Sequence, residues 1–153
     1  MGIEIERKFL MANESWRPLG TAVHYAQGYL VSDGVRTVRV RIAGEDGFIT
    51  IKGRSTGMSR MEFEYGIPVE EALLMLKLAA FPIIEKYRTK ISYQDKIWEI
   101  DEFLGENKGL IMAEIELNSE DEAFAIPPWI GTEVTGDLRY FNSQLAIHPF
   151  RSW

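Results

Sequence analysis

The sequence lacks cysteine and is poor in histidine, and both shortages restrict the chemistry available to it. Without cysteine, disulfides, zinc-thiolate sites, iron-sulfur clusters and thiol nucleophiles are excluded. The two histidines, His24 and His148, lie far apart and have no partners at ligand-like spacing. We therefore expect neither a histidine-based metal site nor a Ser-His-acid triad.

An excess of positive charge is also missing. The 153 residues include 17 lysines and arginines against 23 aspartates and glutamates, which makes the formal net charge -6. This balance argues against a nucleic-acid partner bound through overall charge. If the protein binds an anion, its basic residues must be concentrated locally.

Long apolar runs are absent as well, and no segment reaches the length of a membrane span. The acidic start Met-Gly-Ile-Glu has neither the basic nor the apolar region of a signal peptide. We therefore expect a cytoplasmic protein without a membrane partner. The chain length and the 46% hydrophobic content predict a single domain over residues 1–153 with a substantial core.

What the sequence does contain is strand-like alternation of apolar and polar residues over its first two thirds. Turn-forming residues separate several of these runs, and short connections imply antiparallel neighbours. The pattern predicts a mainly β (α+β) protein. Its strands are expected at residues 2–10, 23–32, 35–43, 47–54, 59–67, 82–93, 96–103 and 110–118.

Three helical segments are predicted between or after these strands. Pro68 begins the first and Pro82 ends it, while Ser119 with Glu122 three residues later reads as a capping box for the second. The third covers residues 137–147, where apolar residues recur at helical spacing. Each helix is expected to pack against the outside of the sheet.

The predicted strands place charged side chains on one face and apolar side chains on the other. At the N-terminus Glu4, Glu6 and Lys8 occupy alternate positions, so in an extended strand they share a face. The same construction recurs along the chain at Arg39 and Arg41, at Lys52, at Arg60, Glu62 and Glu64, at Lys86 and Arg88, at Asp101, and at Glu114 and Glu116.

Two arrangements produce this alternation. An antiparallel sheet with one solvated face is the simpler, and it needs no functional site. The charges, however, form doublets whose signs differ from strand to strand, which favours a closed barrel with the charges inside. Arginines and lysines converging there suit a polyphosphate, and carboxylates without histidine or cysteine favour Mg²⁺ or Mn²⁺. A metal and a polyphosphate together imply phosphoryl chemistry.

The ordered set of charges resembles the CYTH superfamily, also called triphosphate tunnel metalloenzymes. Its N-terminal signature Glu-x-Glu-x-Lys is matched by Glu4, Glu6 and Lys8, and the resemblance covers essentially the whole chain. It implies a closed eight-stranded antiparallel β-barrel that forms a tunnel, with a few helices packed outside. The matching residues after the signature are Arg39, Arg41, Lys52, Glu62, Glu64, Lys86, Arg88, Asp101, Glu114 and Glu116.

The resemblance also implies roles for these residues. Glu6, with Glu4 second, would position the attacking water, and Tyr29 would be a partner of Lys8 close to that water. Tyr29 is equally well explained as an ordinary strand aromatic. The residues expected to hold the triphosphate are Lys8, Arg39, Arg41, Lys52, Lys86 and Arg88. Those expected to hold Mg²⁺ or Mn²⁺ are Glu4, Glu6, Glu114 and Glu116.

Four further charges, Arg60, Glu62, Glu64 and Asp101, are expected to support the tunnel. Glu62 and Glu64 either neutralise the arginines of the empty tunnel or help to bind metal, and the sequence leaves both roles open. Arg139 and Tyr140 lie on the C-terminal segment, where they could close one end of the tunnel or cap a helix.

The C-terminal segment, with Asp137, Arg139, Tyr140 and Asn142, resembles the small bacterial members that hydrolyse inorganic triphosphate to diphosphate and phosphate. That is the activity we expect inside the tunnel. The alternatives are a class IV adenylyl cyclase that forms cyclic AMP from ATP, a hydrolase of thiamine triphosphate or ATP, and a polyphosphate sensor without catalysis. The expected partner is a small-molecule triphosphate, and a homodimer is the default oligomeric state.

Overall fold

The computed structural model describes residues 2–153, which form nine β-strands and two α-helices. No helix in this part of the chain has the length and apolar character needed to cross a membrane. The strands are β1 (Ile3–Met11), β2 (Ala22–Ser32), β3 (Thr37–Ala43), β4 (Asp46–Lys52), β5 (Ser59–Ile67), β6 (Ile84–Tyr93), β7 (Lys96–Phe103), β8 (Ile111–Glu116) and β9 (Ile130–Glu133), and the helices are α1 (Val69–Leu76) and α2 (Asn142–Ile147).

Eight of the strands close into an antiparallel barrel, as the sequence predicts. Neighbouring strands follow the order β5, β4, β3, β2, β6, β7, β8, β1, and β1 returns to β5 to complete the ring. One edge of β1 pairs with β8. On its other edge, the first residues of β1 pair with β5 and the last with β9. The extra strand β9 therefore extends the sheet without interrupting the barrel.

The strand boundaries agree closely with those expected from alternation. The strands at 59–67 and 96–103 coincide with the prediction, and the other six predicted strands differ at their ends by one or two residues. The four-residue strand β9 was not predicted. It is too short to show an alternation that distinguishes it from a loop.

Helix α1 begins after Pro68, as predicted, but it ends at Leu76 and does not extend to Pro82. Beyond the helix the chain returns to the barrel, where the Ala80 amide donates a hydrogen bond of 2.9 Å to the carbonyl of Tyr29. Helix α1 packs on the outer surface of β2, β3 and β4. A Cβ atom on Gly28 would lie 3.2 Å from Leu76 Cδ2, so the missing side chain permits this close approach.

The helix predicted from Ser119 and Glu122 does not form. Glu122 Oε1 accepts a hydrogen bond from the Asn118 amide, and Ser119 Oγ donates to Asp121 Oδ1, so the reciprocal capping contacts expected between Ser119 and Glu122 are not made. The Glu122 amide donates to the Ser119 carbonyl, which closes a single turn. The chain then continues without helix to Pro127 and Pro128. Proline has no amide hydrogen and disfavours helical backbone at the preceding residue, which prevents the turn from propagating.

This irregular segment nevertheless covers the outside of the barrel at β1, β7 and β8. Phe124 packs edge-to-face against Phe9 and Trp98, with ring centroids 6.4 and 5.8 Å apart. Trp98 also contacts the ring of Trp129 at 5.9 Å. The largest apolar cluster outside the barrel is therefore held by aromatic side chains on a loop, where a helix was expected.

Within residues 2–153, no helix covers the outer face of the barrel at β1, β5 and the C-terminal end of β4. Ile3, Ile51, Met61, Phe63 and Tyr65 are all exposed there, and Ile51 pairs directly with Phe63. The expectation that helices cover the apolar outer faces is wrong for this part of the barrel. Helix α1 lies over β2, β3 and β4 instead, and α2 does not pack on the outside at all.

Helix α2 enters one end of the barrel. Leu145 and Ala146 pack against Tyr29, Phe103 and Met112, which share the inward face of their strands with the charged residues. The predicted helical segment at 137–147 is split into a 3₁₀ turn at Leu138–Tyr140 and α2. The interior thus has an apolar end, filled by α2, and a polar remainder.

Candidate active site

A cavity of about 200 Å³ occupies the interior of the barrel. Charged side chains surround it because alternate residues of each strand point inward, and this arrangement excludes the alternative of a solvated sheet face. Every predicted site residue lines the cavity except Asp101, which is completely buried behind it. The predicted residues that line it are Glu4, Glu6, Lys8, Tyr29, Arg39, Arg41, Lys52, Arg60, Glu62, Glu64, Lys86, Arg88, Glu114 and Glu116.

Two arginines of β3 share a single carboxylate. The Nη2 atoms of Arg39 and Arg41 lie 3.5 and 3.2 Å from Glu64 Oε1, which also accepts a hydrogen bond from Thr50 Oγ1 at 2.8 Å. The Nε atoms of both arginines are buried and have no hydrogen-bond partner within residues 2–153. Burial, together with the positive charges of Arg39 and Arg88, lowers the pKa of Arg41 to about 10. This region therefore carries more positive charge than its carboxylate offsets.

Asp101 is the buried counter-ion of two further cations. Arg88 donates to both of its carboxylate oxygens, at 2.7 and 2.8 Å, and Lys86 Nζ lies 2.8 Å from Oδ2. Burial favours protonation of Asp101, but the two cations hold its pKa below the ordinary value. Burial lowers the pKa of Lys86 to about 7, since the attraction of Asp101 is opposed by the charges of Arg88 and Arg41. One carboxylate thus serves two cations.

Carboxylates and two lysines occupy the part of the cavity formed by β1, β4 and β8. Lys8 Nζ lies 3.0 Å from Glu6 Oε1 and 2.9 Å from Glu114 Oε1. Lys52 Nζ lies 2.9 Å from Glu4 Oε1. Each lysine therefore forms ion pairs with cavity carboxylates. A cation that binds these carboxylates would compete with the lysines for them.

These carboxylates are not fully neutralised. Burial raises the pKa of Glu4, Glu6 and Glu116, and nearby carboxylates raise them further. Glu114 differs: burial also disfavours its charge, but Lys8 and Arg88 hold its pKa well below the ordinary value. Raised carboxylate pKa values mean that an additional cation in this region would be stabilised.

The donor set fits a hard divalent cation by its chemistry, because carboxylate oxygens are the ligands that Mg²⁺ and Mn²⁺ prefer. The incompletely neutralised charge of Glu4, Glu6 and Glu116 supports the same fit. Within residues 2–153, however, no three acidic or histidine side chains are already arranged to hold a metal. The fit therefore rests on charge and donor type, and a bound cation would compete with Lys8 and Lys52 for these carboxylates.

Tyr29 lines the cavity but also belongs to the apolar cluster at the α2 end, where it packs with Ile84 and Phe103. Lys8 Nζ is bound by Glu6 and Glu114, and no hydrogen bond joins it to Tyr29 in the described part of the chain. The pairing of Tyr29 with Lys8 that the resemblance implies is thus not made through a direct hydrogen bond. A role for Tyr29 near the attacking water stays a prediction.

Tyr25 is a cavity residue that the sequence analysis missed. It lies on β2 between β3 and β6, and its ring centroid is 5.1 Å from the guanidinium carbon of both Arg41 and Arg88. The aromatic face therefore separates two cations while interacting favourably with each. Tyr25 and Tyr29 lie on the same face of β2, and this spacing is the sequence signal that could have identified Tyr25 as a cavity residue. The other cavity residues that were not selected are Thr37, Thr50, Lys90, Glu99, Phe141, Asn142 and Ser143.

A closed antiparallel barrel whose interior collects arginines, lysines and incompletely neutralised carboxylates defines an internal site for a polyanion and a cation. The chain belongs to the CYTH family, since the CYTH domain model matches residues 2–147. This finding confirms the resemblance stated from the ordered charges.

Relatives and a solved structure agree with this assignment. The chain is 49% identical over 154 residues to an inorganic triphosphatase of Acetivibrio thermocellus, a match that covers 100% of this chain and 99% of the relative. It is 39% identical over 149 residues to an inorganic triphosphatase of Nitrosomonas europaea, covering 94% and 97% of the two chains. The crystal structure of the inorganic triphosphatase NE1496 superposes with a TM-score of 0.65 at 37% identity, covering 94% of this chain and 97% of that one.

Proposed function

We propose that this protein hydrolyses inorganic triphosphate to diphosphate and phosphate inside the barrel, with the help of a divalent cation. One observation carries the proposal: cations in excess of their counter-ions on β3 and β6 face the same cavity as carboxylates of raised pKa on β1 and β8. A polyanion complements the first group and a metal ion the second. The inorganic triphosphatases to which the chain is similar support the choice of substrate.

The basic residues bind and orient the substrate in this proposal. The unpartnered Nε atoms of Arg39 and Arg41 belong to guanidinium groups that can fork onto phosphate oxygens, while Lys52 and Lys86 supply point charges. Arg88 is held by Asp101 through two hydrogen bonds, which fixes the direction of its guanidinium. Binding a highly charged anion here replaces self-repulsion among the cations with attraction.

Glu6 positions the attacking water and accepts its proton. Glu6 lines the cavity on the strand face that it shares with Glu4 and Lys8, so its carboxylate can accept a hydrogen bond from a water held there and then the proton of that water. The water oxygen forms a bond to the terminal phosphorus, the bond from that phosphorus to the bridging oxygen breaks, and diphosphate leaves with the electron pair. The reaction consumes one water and yields diphosphate and phosphate.

The divalent cation would be held by Glu4, Glu6, Glu114 and Glu116. When bound, it supplies charge neutralisation for the phosphate oxygens and lowers the pKa of a coordinated water. Mg²⁺ and Mn²⁺ both suit an all-oxygen donor set. Assays with each ion decide between them.

The cyclase alternative requires a pocket for a purine base in addition to the triphosphate site. The cavity lining is mostly charged, and its aromatic residues are already engaged: Tyr25 lies between two arginines, and Phe141 lies against Lys8 and Arg60. This lining favours an inorganic substrate over a nucleotide. ATP and thiamine triphosphate are accordingly expected to react more slowly.

A substrate panel tests the proposal. The purified protein is incubated with inorganic triphosphate, ATP, thiamine triphosphate and longer polyphosphate, each with Mg²⁺ and with Mn²⁺, and phosphate, diphosphate and cyclic AMP are quantified. We expect equimolar phosphate and diphosphate from triphosphate as the fastest reaction. Cyclic AMP as the main product, or tight triphosphate binding without phosphate release, would overturn the proposal.

Three further expectations from the sequence concern the domain organisation, the location and the oligomeric state of the protein. We infer that residues 1–153 unfold as one cooperative domain, that the protein acts in the cytoplasm, and that it forms a homodimer. Calorimetry, cell fractionation and sedimentation equilibrium test these in turn. Two separate unfolding transitions, recovery outside the cytoplasmic fraction, or a monomeric mass would contradict the respective expectation.

A further inference from the structure

The first residues of α2 reach into the cavity and are held there from several strands. Phe141, the residue before α2, lies against Lys8 of β1 and Arg60 of β5, with Lys8 Nζ 5.5 Å and the Arg60 guanidinium carbon 5.7 Å from its ring centroid. Leu145 is buried in the apolar cluster at the end of the barrel. Asn142 lies between these two anchors and lines the cavity. Its side chain is therefore presented to the interior by a rigid support.

The orientation of the Asn142 amide follows from its neighbours. Its Oδ1 accepts hydrogen bonds from Lys86 Nζ at 2.9 Å and from Gln27 Nε2 at 3.0 Å. The protonated Lys86 can only donate, and Gln27 Nε2 donates to the same atom, so the atom of Asn142 that faces both is the amide oxygen. The amide nitrogen, Nδ2, consequently points away from both partners.

This nitrogen has unused donors. Within residues 2–153, Asn142 Nδ2 donates no hydrogen bond, and it is not among the buried polar atoms sealed without a partner. Because Asn142 lines the cavity, Nδ2 opens onto the space where a ligand would lie. A fixed carbonyl end and a free donor end are what a residue needs to bind an acceptor-rich ligand.

Gln27 provides a second sign that this orientation is maintained at a cost. Gln27 is completely buried, and its Oε1 has no hydrogen-bond partner in the described part of the chain. A buried carbonyl left without a donor is unfavourable. Gln27 nevertheless adopts the orientation in which its Nε2 donates to Asn142 Oδ1. This hydrogen bond leaves Asn142 Nδ2 directed toward the cavity.

We propose that Asn142 is a substrate-binding residue whose amide nitrogen donates to a phosphate oxygen at the α2 end of the cavity, while its carbonyl anchors Lys86. This inference rests on the proposed function. It adds a neutral donor to the proposed phosphate-binding residues, which are otherwise lysines and arginines. A neutral donor contributes direction without adding repulsion among Arg41, Lys86 and Arg88. It also explains why the Lys86 ammonium group needs a second acceptor besides Asp101.

The test compares two substitutions that affect the two ends of the amide differently. Asn142→Asp keeps an acceptor for Lys86 and Gln27 but removes both N–H donors of the amide, whereas Asn142→Ala removes the acceptor and the donors. Ser143→Asp adds the same charge at the neighbouring cavity position and serves as the control for repulsion of the anion. Each variant is titrated with inorganic triphosphate by calorimetry in EDTA, its melting temperature is measured, and kcat and KM are determined with Mg²⁺.

We expect triphosphate to bind about tenfold more weakly, or worse, to both Asn142 variants, with Asn142→Asp at least as impaired as Asn142→Ala. Asn142→Asp should melt no lower than the wild type, which shows that its fold is intact. Ser143→Asp should bind triphosphate several-fold more tightly than Asn142→Asp, because it adds the charge and keeps the amide donors, and equal affinity of these two variants would overturn the inference in favour of repulsion alone. Wild-type affinity in Asn142→Asp with weak binding in Asn142→Ala would overturn the inference in favour of anchoring alone. Wild-type affinity in both variants would overturn it as well.

The same experiment separates this inference from the proposed function. If the wild type binds triphosphate without releasing phosphate while both Asn142 variants bind weakly, the inference stands and the hydrolase proposal fails. If the wild type hydrolyses triphosphate and the Asn142 variants match it in affinity and KM, the hydrolase proposal stands and the inference fails.

Discussion

Glu6 and Glu116 occupy directly opposed positions on β1 and β8, so two carboxylates face one another across the strand pair inside the barrel. Like charges directly opposite are unfavourable in a sheet. Glu6 and Glu4 raise the pKa of Glu116 in addition to the effect of its burial, and no lysine lies within ion-pair distance of Glu116 in residues 2–153. A divalent cation is the ligand that would relieve this repulsion.

Glu116→Gln and Glu6→Gln should therefore weaken metal binding for the same electrostatic reason, but only Glu6→Gln should abolish turnover when metal is saturating. We expect Mg²⁺ to raise the melting temperature of the wild type and to do so less in either variant. At saturating Mg²⁺, Glu6→Gln should lose about a hundredfold or more in kcat, because the water loses its proton acceptor. Full kcat in Glu6→Gln would remove Glu6 from the reaction.

The metal-free protein should become more stable on mild acidification. Glu4, Glu6 and Glu116 have pKa values raised above the ordinary 4.5, so their contribution to stability is complete below that value and is lost as the pH rises through their folded-state pKa values. Glu114 and Asp101 have lowered pKa values, and their stabilisation is lost only at lower pH. Hence the melting temperature in EDTA should rise as the pH falls from 7 toward 5.

The Glu6→Gln variant provides the control for this pH dependence. Removing one titrating carboxylate should flatten the rise in melting temperature between pH 7 and pH 5. Added Mg²⁺ should flatten it in the wild type as well, because bound metal favours the ionised carboxylates. A melting temperature that falls steadily over this interval would contradict the expectation.

Glu64→Gln distinguishes the two roles left open for this residue. As a counter-ion of Arg39 and Arg41, Glu64 competes with the substrate, so its neutralisation should tighten metal-free triphosphate binding several-fold. The partly exposed position limits the loss of stability to about 1 kcal/mol. If Glu64 instead binds metal, the Mg²⁺ concentration needed for activity should rise while metal-free affinity stays constant. Titrations with triphosphate and with Mg²⁺ separate these outcomes.

Lys86 should take up a proton when triphosphate binds. Its pKa of about 7 leaves the side chain largely neutral at pH 8, and a bound polyanion favours the charged form. Calorimetry at pH 8 in buffers of different ionisation enthalpy measures the protons taken up. Lys86→Met should abolish this uptake, whereas Lys8→Met should weaken binding and leave uptake unchanged.

The contrast between the two lysines has a physical cause. Burial opposes the charge of Lys8 as well, but its contacts with Glu114 and Glu6 raise its pKa, so it is already protonated at pH 8. Within residues 2–153, the carboxylate in ion-pair contact with Lys86 is Asp101, which Arg88 also binds. Proton uptake that persists in Lys86→Met would show that another group titrates on binding.

That the charges of each strand share one face could be predicted, because this depends on local geometry. Alternate residues of any strand face opposite sides, so the doublets at Glu4 and Glu6 or Arg39 and Arg41 had to share a surface. The helix predicted at Ser119 shows the limit of such reasoning. The reciprocal capping contacts between Ser119 and Glu122 do not form, and packing of Phe124 against Phe9 and Trp98 and the prolines that follow determine the path of the chain.

Several residues of the candidate site could not be found by local patterns. Phe141, Asn142 and Ser143 reach the cavity only because α2 enters the barrel, and its apolar residues give the same spacing whether a helix packs outside or inside. Tyr25 resembles any aromatic residue of a half-buried strand until β3 and β6 place an arginine on each side of it.

By itself, the sequence determined the strands, the face on which each charge lies and the family to which the chain belongs, since these follow from spacing along one strand and from the order of the motifs. The tertiary structure alone decided which charges meet. Closure of β1 onto β5 brings Glu4 to Lys52, and the pairing of β6 with β7 gives Arg88 and Lys86 a single shared aspartate. Such contacts join residues distant in sequence, and the resulting pKa values depend on burial and on neighbours that only the closed barrel supplies.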